Sequence, residues 1–74
     1  MSRDPKTNLK ERADRGTLPA AQYSTERVGG TDHEPAHVAR VTLPDGREAQ
    51  GSGRSKVEAE QNAAAALIQK HQLE

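Results

Sequence analysis

Leu9 and Ala13 stand four residues apart in a run that is otherwise polar from Lys6 to Arg15. That spacing draws a narrow apolar stripe along a helix whose other faces are charged. The helix opens at Asp4-Pro5, where aspartate is a good N-cap and proline at the first helical position gives up no hydrogen bond. Gly16 supplies the stop, and Leu18-Pro19 leads out in an extended conformation. Residues 22–28 set Tyr23, Thr25 and Val28 among polar neighbours, a strand pattern. Residues 29–35 (Gly-Gly-Thr-Asp-His-Glu-Pro) are a loop by composition. A second strand is expected over residues 37–43. The turn Pro44-Asp45-Gly46-Arg47 follows, then a third strand over residues 47–52 with Ala49 and Gly51 on one face.

Ser55 with Glu58 three positions on has the form of a capping box. It opens a second helix from Lys56 to about His71, whose packing stripe is Ala59, Ala63, Ala64 and Leu67. A stripe made mostly of alanine lets a helix lie close on a sheet. The order is helix, three antiparallel strands, helix: an α+β chain with no internal repeat and no low-complexity tract.

Composition narrows the picture. The chain has 74 residues, one small domain at most, with 31% hydrophobic residues and a single aromatic side chain, Tyr23. That is a thin core, and the burial available to so short a chain keeps stability low. Charged residues reach 30%, and composition alone would allow disorder. The spaced caps, turn and apolar stripes argue against it. With no cysteine, disulfides and thiolate metal sites are excluded. His33, His37 and His71 lack metal-ligand spacing. No apolar run could span a membrane, and the first residues carry no apolar signal region, so a cytoplasmic protein is the expectation. Eleven basic and eleven acidic residues give zero net charge. Binding to a polyanion must therefore come from local placement of charge, not from a global field.

Four segments, in order, resemble one family. The opening Asp4-Pro5-Lys6-Thr7-Asn8-Leu9-Lys10-Glu11 is similar to the DPKT-x-LQE start of the C-terminal double-stranded RNA-binding domain of bacterial ribonuclease III. Tyr23 follows at that family's spacing. Gly30-Thr31-Asp32-His33 resembles its GPxH loop. Gly51-x-Gly53-Arg54-Ser55-Lys56-x-Glu58-Ala59-Glu60-Gln61-x-Ala63-Ala64 resembles its GxGRSKKEAEQxAA segment, the most specific of the four. The resemblance covers residues 4–72. It implies an αβββα fold with a three-stranded antiparallel sheet and two helices packed on one face, binding double-stranded RNA by shape.

Duplex RNA hides its bases in a deep, narrow major groove, so such domains read two successive minor grooves and the phosphates between them. By resemblance, Thr7, Lys10 and Glu11 form the first contact. His33, in the loop, forms the second. Arg54, Ser55 and Lys56 form the third, where a helix N-terminus offers free amides and a positive dipole end to phosphate. For residues 54–56 the glycine-led helix start itself favours phosphate binding.

Departures from the family pattern weaken this surface. Val57 stands where a second lysine is usual, Lys10 where a glutamine is, and Thr31 where the loop proline is. Glu60 occupies a position that is lysine in many double-stranded RNA-binding domains, although ribonuclease III commonly has this glutamate. His37 replaces a buried phenylalanine, and a partly exposed or hydrogen-bonded imidazole is the expectation there, with a pH switch the minor alternative. Weak, salt-sensitive and sequence-tolerant binding with a shallow salt slope follows. No catalytic residue, cofactor or small-molecule substrate is expected for this chain. Magnesium would enter only with a nuclease domain elsewhere in a parent ribonuclease III. The alternative reading is an interaction or dimerisation module of the same fold with little RNA affinity, which Val57 and the zero net charge favour.

Overall fold

A computed structural model describes residues 4–71. The elements run α1 (Pro5–Asp14), β1 (Gln22–Gly30), β2 (Pro35–Thr42), β3 (Glu48–Gly53) and α2 (Lys56–His71). The sequence-based boundary at residue 72 lies outside the described residues.

Helix α1 begins and ends by side-chain and glycine chemistry that can be followed bond by bond. The Asp4 carboxylate accepts from the Thr7 amide at 2.8 Å, with Pro5 in the first turn. At the other end Gly16 adopts φ 78°. Its amide donates to the Ala13 carbonyl at 3.0 Å, and the Thr17 amide donates to the Arg12 carbonyl at 2.9 Å. This paired return is the Schellman arrangement, which satisfies carbonyls a helix end leaves open. Leu9 is the residue of α1 that is buried; Ala13, expected to share the stripe, is only half-buried.

The three strands form one antiparallel sheet in the order β1-β2-β3. Tyr23 pairs with Val41, and Val41 with Ala49. The alternation of the strands then places Tyr23, Ala39, Val41, Ala49 and Gly51 on the helix side. The β2–β3 turn closes with the Leu43 amide on the Arg47 carbonyl at 2.8 Å and the Gly46 amide on the Leu43 carbonyl at 3.0 Å.

One sequence expectation is corrected here. Gly29 and Gly30 are not loop residues, because β1 continues through a bulge to pair Gly29 with Ala36 and Gly30 with Pro35. The loop shrinks to residues 31–34. Gly30 sits at φ 86°, and a Cβ there would lie 2.3 Å from the Glu34 carbonyl oxygen. Only glycine permits the strand to turn back this tightly.

Helix α2 covers the sheet, touching all three strands, and α1 lies beside α2 on the same side. The core is Leu9, Ala39, Val41, Leu43, Ala49, Ala59, Ala63, Ala64, Leu67 and Ile68. The alanine stripe of α2 is buried as its spacing requires, and Ile68 joins it. Close approach is enforced from the strand side, since a Cβ on Gly51 would fall 2.2 Å from the Ala63 amide nitrogen. His37 faces the helix side between Arg27 and Gly53. It is partly exposed, as expected, while its Nδ1 is shut from solvent without a partner among the described residues.

Candidate nucleic-acid interface

The start of α2 is built by a reciprocal cap. Ser55 Oγ accepts from the Glu58 amide at 3.1 Å, and the Glu58 carboxylate reaches back to the Arg54 amide at 3.3 Å. In the usual capping box the acid bonds the cap residue itself; here it bonds the residue before it. The cap fixes where Arg54, Ser55 and Lys56 stand. All three are exposed, and neither cationic side chain is hydrogen-bonded or ion-paired among the described residues. Two exposed cations at the positive end of a 16-residue helix make a local anion-favouring patch on a chain with no net charge.

The β1–β2 loop lies at the same end of the sheet, because His37 at the start of β2 pairs with Gly53 at the end of β3. Thr31, which stands in place of the family's proline, closes the loop in another way. Its hydroxyl accepts from the Glu34 amide at 3.0 Å, and its amide donates to the Glu34 carbonyl at 3.1 Å. Arg27 braces this turn by donating to the Thr31 carbonyl at 3.1 Å and lies 3.9 Å from Asp32. His33 is exposed on the loop so held. The bracing by Arg27 and Thr31 was not visible in the sequence pattern.

On α1, Thr7 and Lys10 are exposed and Glu11 is partly buried. Lys10 lies 3.5 Å from Asp14, an exposed i,i+4 pair that tempers its charge only slightly. An open groove of about 630 Å³ runs between this helix and the start of β1, with Lys6, Thr7, Lys10, Ala21, Tyr23 and Gln61 in its walls. Of its two lysines, Lys6 is paired with Glu60, and Lys10 stays exposed beside Asp14.

Helix α1 is tied to α2 next to the contact residues. The Lys6 amide donates to Gln61 Oε1 at 3.1 Å, and Lys6 Nζ lies 2.6 Å from Glu60. The other Glu60 oxygen accepts from the Thr25 hydroxyl at 3.0 Å. The Lys6 hydrogen bond, with help from Thr25, holds the Glu60 carboxyl below its ordinary value despite partial desolvation. The Lys6 ammonium also sits 5.1 Å from the Tyr23 ring centroid. Burial, and then the charges of Glu60 and Asp4, push the Tyr23 phenol up to about 12. In the sequence Glu60 stood out only as a match to the ribonuclease III segment, at a position that is lysine in many double-stranded RNA-binding domains. Its partners lie 35 and 54 positions away, beyond the reach of local patterning.

Three separated segments are thus gathered by pairing and packing: the first turns of α1 beside α2, the loop at residues 31–34, and the start of α2 at the loop's end of the sheet. Against this geometry, the double-stranded RNA binding motif matches residues 5–71.

The chain belongs to the double-stranded RNA-binding motif family.

Among relatives, the domain is 44% identical over 66 residues to ribonuclease 3 of Mesorhizobium japonicum, covering 89% of this chain and 30% of that protein. It is 41% identical over 69 residues to ribonuclease 3 of Rhodobacter capsulatus, covering 93% and 30%. The chain therefore spans under a third of the length of these curated relatives. Among solved structures, the second double-stranded RNA-binding domain of DRB4 matches with a TM-score of 0.63 at 25% identity, over 90% of this chain and 93% of that one. The αβββα architecture implied by the sequence segments is the architecture found. Among the described residues, no helix is long and apolar enough to cross a membrane, and no group of three or more His, Cys, Asp or Glu could hold a metal ion.

Proposed function

We propose that the domain binds double-stranded RNA by shape and backbone contacts, and that it serves as the substrate-holding module of a ribonuclease III-like enzyme. The observation that carries this reading is the family match over residues 5–71. The exposed cations Arg54 and Lys56 at the capped start of α2 supply the charge such binding needs. Thr7, Lys10 and Glu11 meet one minor groove, His33 the next, and Arg54, Ser55 and Lys56 the phosphates between. Cleavage belongs to a nuclease domain of the parent protein, and magnesium to that domain. This chain supplies grip and orientation, in a cytoplasmic setting.

The test is a titration with a blunt RNA duplex of about sixteen base pairs, the span such domains cover. The same-sequence DNA duplex and single-stranded RNA are the controls, at low and physiological salt. The RNA duplex is expected to bind best. Replacing Arg54 and Lys56 together by alanine should lower that affinity roughly tenfold or more and reduce the salt slope by about one unit for each phosphate no longer engaged. Equal binding to all three nucleic acids, or none at low salt, would reject the reading. It would then favour a protein-interaction module, for which Val57, 64% exposed in place of the family's lysine, is the supporting feature.

A further inference from the structure

An acidic side chain on an RNA-facing helix is, on charge alone, a defect. Glu60 lies one helical turn after Lys56, and its removal should, by Coulomb's law, strengthen binding to any polyanion. The geometry around it points the other way.

Among the elements, the backbone of α1 lies close to α2 alone; α1 contributes one buried side chain, Leu9, to the core, and reaches β1 through the Lys6 ammonium over the Tyr23 ring. So small an apolar contact leaves the axial position of α1 weakly defined. Sliding along a stripe one residue wide costs little burial. Polar ties define it instead, and they converge on one turn of α2. Gln61 accepts from the Lys6 backbone, Glu60 takes the Lys6 ammonium with one oxygen, and its other oxygen takes the Thr25 hydroxyl of β1. Glu60 thus joins α1, α2 and the sheet through a single carboxylate that is 19% exposed. Lys6 adjoins Thr7 in the chain and lies one turn from Lys10. The tie is therefore within a turn, about 5 Å, of contact groups on both helices.

We propose that Glu60 is a positioning residue for RNA recognition. It sets the offset between the RNA-facing edge of α1 and the start of α2, so that one duplex meets both. This rests on the reading of the domain as an RNA binder. Recognition by shape depends on separations between contact points. A shifted α1 would still present its cations but would no longer fit the spacing of an A-form duplex. Glu60 gives up general polyanion affinity and gains discrimination between duplex types.

The experiment compares the full chain with Glu60→Ala and Glu60→Gln. It uses the RNA duplex, the same-sequence DNA duplex and single-stranded RNA, with urea denaturation confirming that each variant is folded under assay conditions. Glu60→Ala should lose about tenfold in RNA-duplex affinity while binding to the DNA duplex stays level or rises. Glu60→Gln, which keeps one acceptor oxygen for Lys6 and can donate its amide N–H to the Thr25 hydroxyl oxygen, should retain most of the RNA preference. Should Glu60→Ala fail to fold, the exchange Lys6→Glu with Glu60→Lys decides, since it restores an ion pair and should regain preference over Glu60→Lys alone. Unchanged or tighter RNA binding by Glu60→Ala, with an unchanged RNA-to-DNA ratio, overturns the proposal. So does an exchange variant no better than Glu60→Lys. A parent chain that shows no duplex preference defeats the functional reading first, leaving Glu60 a structural tie only.

Discussion

Tyr23 is the one aromatic in the chain, and its surroundings assign it a titration that can be followed. Its hydroxyl is shut from solvent without a partner among the described residues, and its ring carries the Lys6 ammonium. Burial leads the causes that raise its pKa from 10.0 to about 12. The folded chain therefore keeps the phenol proton where the unfolded chain has lost it. The corresponding stability is complete below the ordinary value and disappears as pH climbs from 10 toward 12. Tyr23→Phe should remove this loss and, because no hydrogen bond is given up, should cost little at neutral pH. Denaturation midpoints of both proteins from about pH 9 to about pH 12 check it. Parallel alkaline decline in both would contradict it, since lysine deprotonation acts on both alike. At this scale the caps were legible in the sequence: Asp4-Pro5 and Ser55 with Glu58 are local signals, and both formed. The partners of Lys6 and Glu60 were not, because nothing short-range marks a contact across 54 positions.

Between elements, the tightest constraint is where α2 crosses β3. Gly51 faces the helix backbone with no room for a methyl group, a Cβ falling 2.2 Å from the Ala63 nitrogen and 2.5 Å from the Asn62 carbonyl carbon. Those atoms cannot rotate away as a side-chain tip could. Gly51→Ala should lift α2 from the sheet and destabilise by about 1–3 kcal/mol or more. Urea denaturation measures it, and a cost below about 0.5 kcal/mol would show that the helix can shift freely. The sequence announced part of this. Alanines at 59, 63 and 64 signalled a close helix, whereas the glycine at 51 was placed only on a shared face with Ala49, and its meeting with the helix backbone shows that each requires the other. The extension of β1 through Gly29 and Gly30 was missed for the opposite reason. Two glycines read as loop by composition, whereas the bulge after Arg27 uses them within a strand.

The whole molecule has no net charge, so whatever holds a polyanion is local and directional. The order of elements and the family segments made the fold legible almost in full. The site was legible as a set of positions, but its electrostatic state was not. Lys10 stands beside Asp14, Lys6 is taken by Glu60, and Arg54 with Lys56 stand without a hydrogen bond or salt bridge among the described residues at a capped helix end. Counting charges could not have separated these.

The single attachment of α1 has a further consequence, in the time domain. Detaching α1 breaks the ties to Glu60 and Gln61, lifts Lys6 from the Tyr23 ring and exposes Leu9, but leaves every strand pairing and the α2–sheet contact in place. A segment with so little to lose opens at a free energy below that of global unfolding. Native-state amide hydrogen exchange should then show α1 as a separate, faster unit than β2 and α2. Exchange of α1 only at the global rate would mean that one leucine and one carboxylate bind it into the cooperative whole.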